Sequence, residues 1–197
     1  MKRIFRRISV LLTVGICAGV LLVGCGGDSN AKFSTEPHRV IVTMESGDTF
    51  TIETAPEFAP ETCANFLGLV EEGFYDGLTF HRVIDGFVAQ GGDPDGDGTG
   101  GSGKNIKGEF ADNGFEQNTL SHTRGVISMA RRGGDMDSAT SQFFICYDDA
   151  TFLDGQYAAF GSVTEGMETV DKFLETERDS AGMPATPIII KEMKIVE

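Results

Sequence analysis

The chain is short of positive charge: 16 lysines and arginines stand against 30 aspartates and glutamates, a formal net charge of −14. So acidic a surface offers no electrostatic footprint for a polyanion, which excludes nucleic acid and attraction to anionic lipid head groups. Histidine and cysteine are scarce, at three and four residues. No Cys-x-x-Cys pair or His/Cys cluster occurs, so structural zinc is excluded and no metal or other cofactor is expected. No serine sits in a Gly-x-Ser-x-Gly elbow to accompany His38, His81 or His122, which argues against a Ser-His-Asp hydrolase. Tryptophan is absent altogether. There is no internal repeat, and the 40% hydrophobic content suits one globular domain with an ordinary core.

The one long apolar run lies at the N-terminus. Lys2, Arg3, Arg6 and Arg7 precede the sixteen positions from Ile8 to Val23. That is short for a spanning helix, which takes about 20 residues, and right for a secretory signal, with an uncleaved membrane anchor as the alternative. The run ends in Leu22-Val23-Gly24-Cys25, which resembles the lipobox of bacterial lipoproteins. The resemblance implies cleavage before Cys25 and a diacylglycerol on its thiol. Residues 1–24 are then a signal peptide, 25–37 a lipidated N-terminus and tether of about 40 Å when extended, and 38–197 the folded domain. Losing the four basic residues of 1–24 leaves 12 basic against 30 acidic residues, a net charge of −18. Membrane attachment should therefore come from the lipid on Cys25. The expected location is the outer face of the bacterial cell membrane, or an outer membrane where one exists. Cys17 leaves with the signal, while Cys63 and Cys146 read as small core hydrophobes whose oxidation to a disulfide stays open in an exported protein.

The rest of the chain reads as β-rich. Val40, Val42 and Met44 alternate with Ile41, Thr43 and Glu45, Gly47-Asp48 turns the chain, and Thr49 to Glu53 alternates back as a hairpin. Pro60 opens a helix whose Cys63, Phe66, Leu67 and Val70 form one buried stripe, and Gly73 stops it. Short strands are predicted near 79–83, 88–90, 126–130, 143–146 and 158–163. A second amphipathic helix is predicted over 167–174, and a last strand over 188–196. Pattern alone leaves a sandwich and a barrel both open.

Phe80-His81-Arg82-Val83-Ile84-Asp85-Gly86-Phe87-Val88-Ala89-Gln90-Gly91-Gly92-Asp93 is the most informative segment. Ser128-Met129-Ala130, Ser141-Gln142-Phe143-Phe144-Ile145 and Phe152-Leu153-Asp154-Gly155 follow it. In this order, and over Arg39 to Glu197, these motifs resemble the cyclophilins, peptidyl-prolyl cis/trans isomerases. The resemblance implies a mainly β fold: a closed eight-stranded antiparallel β-barrel capped by two α-helices, with a packed interior and a groove on the outer wall. It implies action on proline-containing unfolded or exported polypeptides. Nothing in the sequence indicates a subunit interface, so a monomer is expected while the oligomeric state stays open.

Such a groove must lower a rotational barrier of about 18–20 kcal/mol, set by the partial double-bond character of the C–N bond. No nucleophile, metal or redox group is needed. A donor aimed at the imide nitrogen gains strength as the bond twists and the lone pair localises, which is differential binding of the transition state. Guanidinium offers a permanently charged, rigid fan of N–H groups, and Arg82 matches the family's catalytic arginine. Phe87, Met129, Phe144 and Leu153 match the proline pocket, and Val88 takes a position that is often methionine. Adjacent Phe143 and Phe144 must point to opposite faces of a strand, so one fills the barrel and the other lines the groove. Phe80, Phe110 and Phe160 are assigned to the core. Gln90 and Gln142 match amides that position Arg82 or the substrate. Ala130 and Arg131 match the pair lying along the substrate chain, with the Arg131 backbone expected to pair with the residue before proline. Gly98 to Gly101 match a segment whose backbone approaches the peptide.

The chain also departs from the family pattern. Phe152 replaces a rim tryptophan and lacks its N–H donor, which should weaken binding of cyclosporin-type inhibitors. Tyr157 replaces a histidine, and Arg131 replaces an asparagine. The Asp135–Thr140 stretch resembles bacterial members. Asp93 to Gly98 imitates half of a calcium loop, but Lys104 stands where a bidentate glutamate belongs. The glycines from Gly96 to Gly103 imitate phosphate-binding loops without a following helix. Two readings remain: an isomerase, or a binding module that holds proline segments with little catalysis.

Overall fold

The computed structural model describes Phe33 and residues 35–196. The signal-peptide and lipobox assignments, Cys25 included, lie outside the described residues. β1 (Arg39–Met44) and β2 (Thr49–Thr54) form the expected hairpin, with Val42 opposite Phe50 and Gly47 in the turn at φ +88°. Val40, Val42 and Met44 are buried, while the residues between them are only half-buried. α1 (Pro60–Glu71) starts on its proline and buries Cys63, Phe66, Leu67 and Val70, the predicted stripe.

The remaining strands are β3 (Thr79–Ile84), β4 (Val88–Asp93), β5 (Val126–Met129), β6 (Phe143–Cys146), β7 (Ala159–Glu165) and β8 (Ile190–Val196). With β1 and β2 they make one curled, wholly antiparallel sheet in the order β3-β4-β6-β5-β7-β2-β1-β8. Its two edges meet at one end: Phe80 N–H donates to Ile188 O at 2.9 Å, and Ile190 N–H donates to Leu78 O at 2.8 Å.

The concave face is filled by aromatic rings. Phe66 stands edge-on to Phe143 at 5.8 Å, and Phe80 does the same at 5.8 Å. Such pairs add roughly 0.5–1.5 kcal/mol beyond their buried area. The predicted second helix is shorter than its pattern suggests: α2 (Met167–Asp171) tightens into a 3₁₀ turn over Lys172–Glu175, which carries Phe173 over Phe80 at 4.8 Å. Phe33, within the expected tether, is 2% exposed and part of this core.

Candidate active site

The groove grows from strand alternation on the convex side of the sheet. Along β6, Phe143 and Ile145 enter the main core, whereas Phe144 and Cys146 join a separate apolar cluster with Val88, Ala150 and Leu153. Register carries this parity across: Gln90 pairs with Phe144 on one side and with Arg82 on the other, and Ser128 pairs with Phe144 from β5. The β3–β4 turn, with Gly86 at φ +67°, presents Phe87 beside them.

These residues enclose a cavity of about 200 Å³. Phe87, Val88, Phe144 and Leu153 supply its apolar walls, and Ala130 and Tyr157 complete them. Arg82, Gln90 and Arg131 supply its polar edge. Arg82 is half-buried. Its Nη1 donates to Gln90 Oε1 at 3.3 Å, Gln90 Nε2 donates to Gln142 Oε1 at 2.8 Å, and Gln142 Nε2 donates to Gly100 O at 2.9 Å. Two glutamines thus tie the guanidinium to the glycine-rich loop, and its carbon lies 5.8 Å from the Phe87 ring centre. Among the described residues no carboxylate forms an ion pair with Arg82, so its charge faces the cavity uncompensated.

A second, more polar cavity of about 420 Å³ adjoins the first and shares Gln90, Ala130 and Arg131 with it. Gly98, Thr99, Gly100 and Gly101 form one wall, and Arg132, Ser138, Thr140 and Gln142 belong to the other. Asp93, fully buried, holds this loop: its carboxylate accepts from Asp95 N–H at 2.9 Å and Gly98 N–H at 2.6 Å.

Met129 does not belong to the pocket. It is 1% exposed, pairs with Phe143 and faces the main core, because strand parity puts Ser128 and Met129 on opposite faces. Phe152 is 65% exposed and lies outside the cavity, stacked on Phe87 at 5.7 Å as a rim. Phe110 is buried but outside the main core; the Arg131 guanidinium covers its ring at 5.3 Å. The same guanidinium lies 4.7 Å from Tyr157. Cys63, on α1 within the main core, and Cys146, on β6 within the groove-side cluster, carry free thiols, each pushed up to about 12 by burial.

Sequence reasoning missed what lies beneath Phe144. His122 stacks on that ring at 6.0 Å, with Nδ1 2.8 Å from Asp154 Oδ1 and Nε2 3.0 Å from Ser128 Oγ. This is the connectivity of a nucleophilic triad, yet Ser128 is wholly buried and no substrate can reach its hydroxyl. The line supports the pocket floor. Its only sequence signal was the three residue types scattered over 32 positions.

Residues 39–195 match the family model described as cyclophilin type peptidyl-prolyl cis-trans isomerase/CLD. Peptidyl-prolyl cis-trans isomerase B of Bacillus subtilis is 50% identical over 125 residues, covering 64% of this chain and 82% of that protein. Peptidyl-prolyl cis-trans isomerase A of Dickeya dadantii is 40% identical over 194 residues, 92% of this chain and 97% of that one. A crystal structure of a Cryptosporidium parvum cyclophilin type isomerase superposes with a TM-score of 0.74 at 33% identity, covering 82% of this chain and 99% of its own. The same parasite's isomerase, crystallised in the presence of the dipeptide Ala-Pro, gives a TM-score of 0.72 at 33% identity, covering 81% and 99%.

Proposed function

The chain belongs to the cyclophilin-type peptidyl-prolyl cis-trans isomerases, and we propose that it rotates X-Pro bonds with Arg82 as the donor and the Phe87–Phe144–Leu153 cavity as the seat of the proline ring. The activity is that of a peptidyl-prolyl cis-trans isomerase. One observation carries the residue assignment: a half-buried guanidinium, anchored by Gln90 and without a carboxylate partner among the described residues, borders an apolar cavity of about 200 Å³. Proline has no N–H to offer, so an apolar slot holds its ring at no polar cost. The Arg82 N–H groups meet the imide nitrogen as the bond turns and its lone pair localises, and each ~1.4 kcal/mol gained there speeds rotation tenfold. Gln90 and Gln142 hold the donor in place before the substrate arrives, and the Arg131 backbone pairs with the residue preceding proline.

Arg82→Ala is expected to lower kcat/KM in a proline-peptide assay by about 100-fold or more, while binding of the same peptide falls much less. An unchanged rate refutes the assignment. Equal losses in rate and binding would instead favour the binding-module reading.

The finer features belong to the same proposal. The sheet is a closed barrel, supported by the backbone bonds that join Phe80 to Ile188 and Leu78 to Ile190. The protein is a monomer, exported and anchored through the lipid on Cys25, and it serves proline-limited folding of exported polypeptides. Cyclosporin-type ligands bind weakly because Phe152 offers a ring without an N–H, and inhibition measured in the same assay reads this directly.

A further inference from the structure

We propose that Arg131 forms an anion subsite in the groove, so that the enzyme favours segments with aspartate or glutamate two or three residues before the proline. This rests on the reading above, in which the residue before proline lies along the Arg131 backbone. Arg131 lines both cavities, so a peptide running from the apolar one into the polar one passes this residue.

Charge makes that passage unusual. The chain carries nearly twice as many acidic as basic residues, yet the polar cavity is lined by Arg131 and Arg132 and by no aspartate or glutamate. Arg39 and Arg124 spend their charge on carboxylates at 2.6 and 2.7 Å. Arg131 does not: among the described residues it forms no ion pair. Its Nε donates to Gln156 O at 3.0 Å and its Nη1 to Arg132 O at 3.2 Å, and its plane is covered by Phe110 and Tyr157. Carbonyls and ring faces hold the group still without cancelling its charge. The entropy of ordering the side chain is therefore spent before a ligand arrives, and Nη2, which has no partner among the described residues, is left to donate. A carboxylate placed there would receive a charge-assisted hydrogen bond. Arg132 adds a second cation at the exposed end of the cavity; its backbone N–H donates to Ser138 Oγ at 2.9 Å, and its side chain's ion pair with Asp135 is long, at 3.4 Å.

The test compares kcat/KM for peptide pairs that differ only by Glu or Gln at the second and third residues before proline. The Glu peptide is expected to be favoured about threefold to tenfold at low ionic strength, with the ratio shrinking toward one in about 1 M salt. Arg131→Gln should bring the ratio to one whatever it does to the absolute rates, and Arg131→Lys should keep part of it. Equal use of both peptides by the unaltered enzyme, or a preference that survives Arg131→Gln, overturns the subsite while leaving the isomerase reading intact. Should Arg131→Gln not fold, the unaltered enzyme's ratio and its salt dependence decide alone. If neither peptide is turned over, the isomerase reading fails and this proposal goes with it.

Discussion

His122 is fully buried between Asp154 and Ser128, and burial pulls its pKa below the ordinary 6.5 even though Asp154 pushes the other way. His81 shifts in the same direction, again chiefly from burial, with Asp93 opposing and the neighbouring Arg82 adding to it. A histidine whose pKa falls on folding contributes stability that is complete above pH 6.5 and lost as pH drops through the folded value. The protein should therefore lose stability on acidification from pH 7 toward 5.5, and His122→Gln should flatten that loss. Urea denaturation of both forms at several pH values checks it; parallel pH profiles would remove His122 from the account. Glu109 has the opposite sign, since burial raises its pKa above 4.5. The difference between the two proteins isolates the histidine.

α1 shows what one element leaves legible and what it conceals. Its apolar stripe at positions 63, 66, 67 and 70 is visible because helical period and burial coincide. Its N-terminal cap is not visible, because Ala59 has no side chain to cap with and the acceptor is Glu109, 47 residues beyond Thr62. That carboxylate accepts from Glu61 N–H at 3.0 Å, Thr62 N–H at 2.8 Å and the Thr62 hydroxyl at 2.7 Å. Glu109→Ala strands buried donors at the helix start and should cost about 2 kcal/mol in urea denaturation at neutral pH. A loss below about 0.5 kcal/mol would mean that the cap is dispensable. β5 teaches a related lesson. The same alternation that separates Phe143 from Phe144 also turns Met129 inward, but only the pairing of Met129 with Phe143 reveals which parity β5 adopts.

For the protein as a whole, the proposed division of labour gives catalysis to the acidic body and attachment to the N-terminus. No helix among the described residues is long and apolar enough to cross a membrane. A body this acidic gains nothing from an anionic bilayer, so we propose that membrane attachment rests on a lipid at Cys25. Phe33, which the sequence assigns to the tether, is instead packed into the core. In a bacterial host the protein should fractionate with membranes, and mass spectrometry should find a diacylglycerol on Cys25. Cys25→Ser should release it. Recovery of the unaltered protein in the soluble fraction would remove the anchor.

Short-range information was enough to locate the strands, α1 and the parity of Phe143 and Phe144, because periodicity and turn chemistry act between neighbours in the chain. The groove motifs were legible only through their resemblance to the cyclophilins. What needed the tertiary structure was the set of partners: Glu109 on α1, Gly100 behind Gln142, and Phe110 and Tyr157 around Arg131. Those contacts join segments 21 to 47 residues apart, and sequence spacing carries no distance information at that range. Curling the sheet brings the glycine-rich loop and the Arg131 strand end to one groove, and that juxtaposition alone decides which charges remain unpaired.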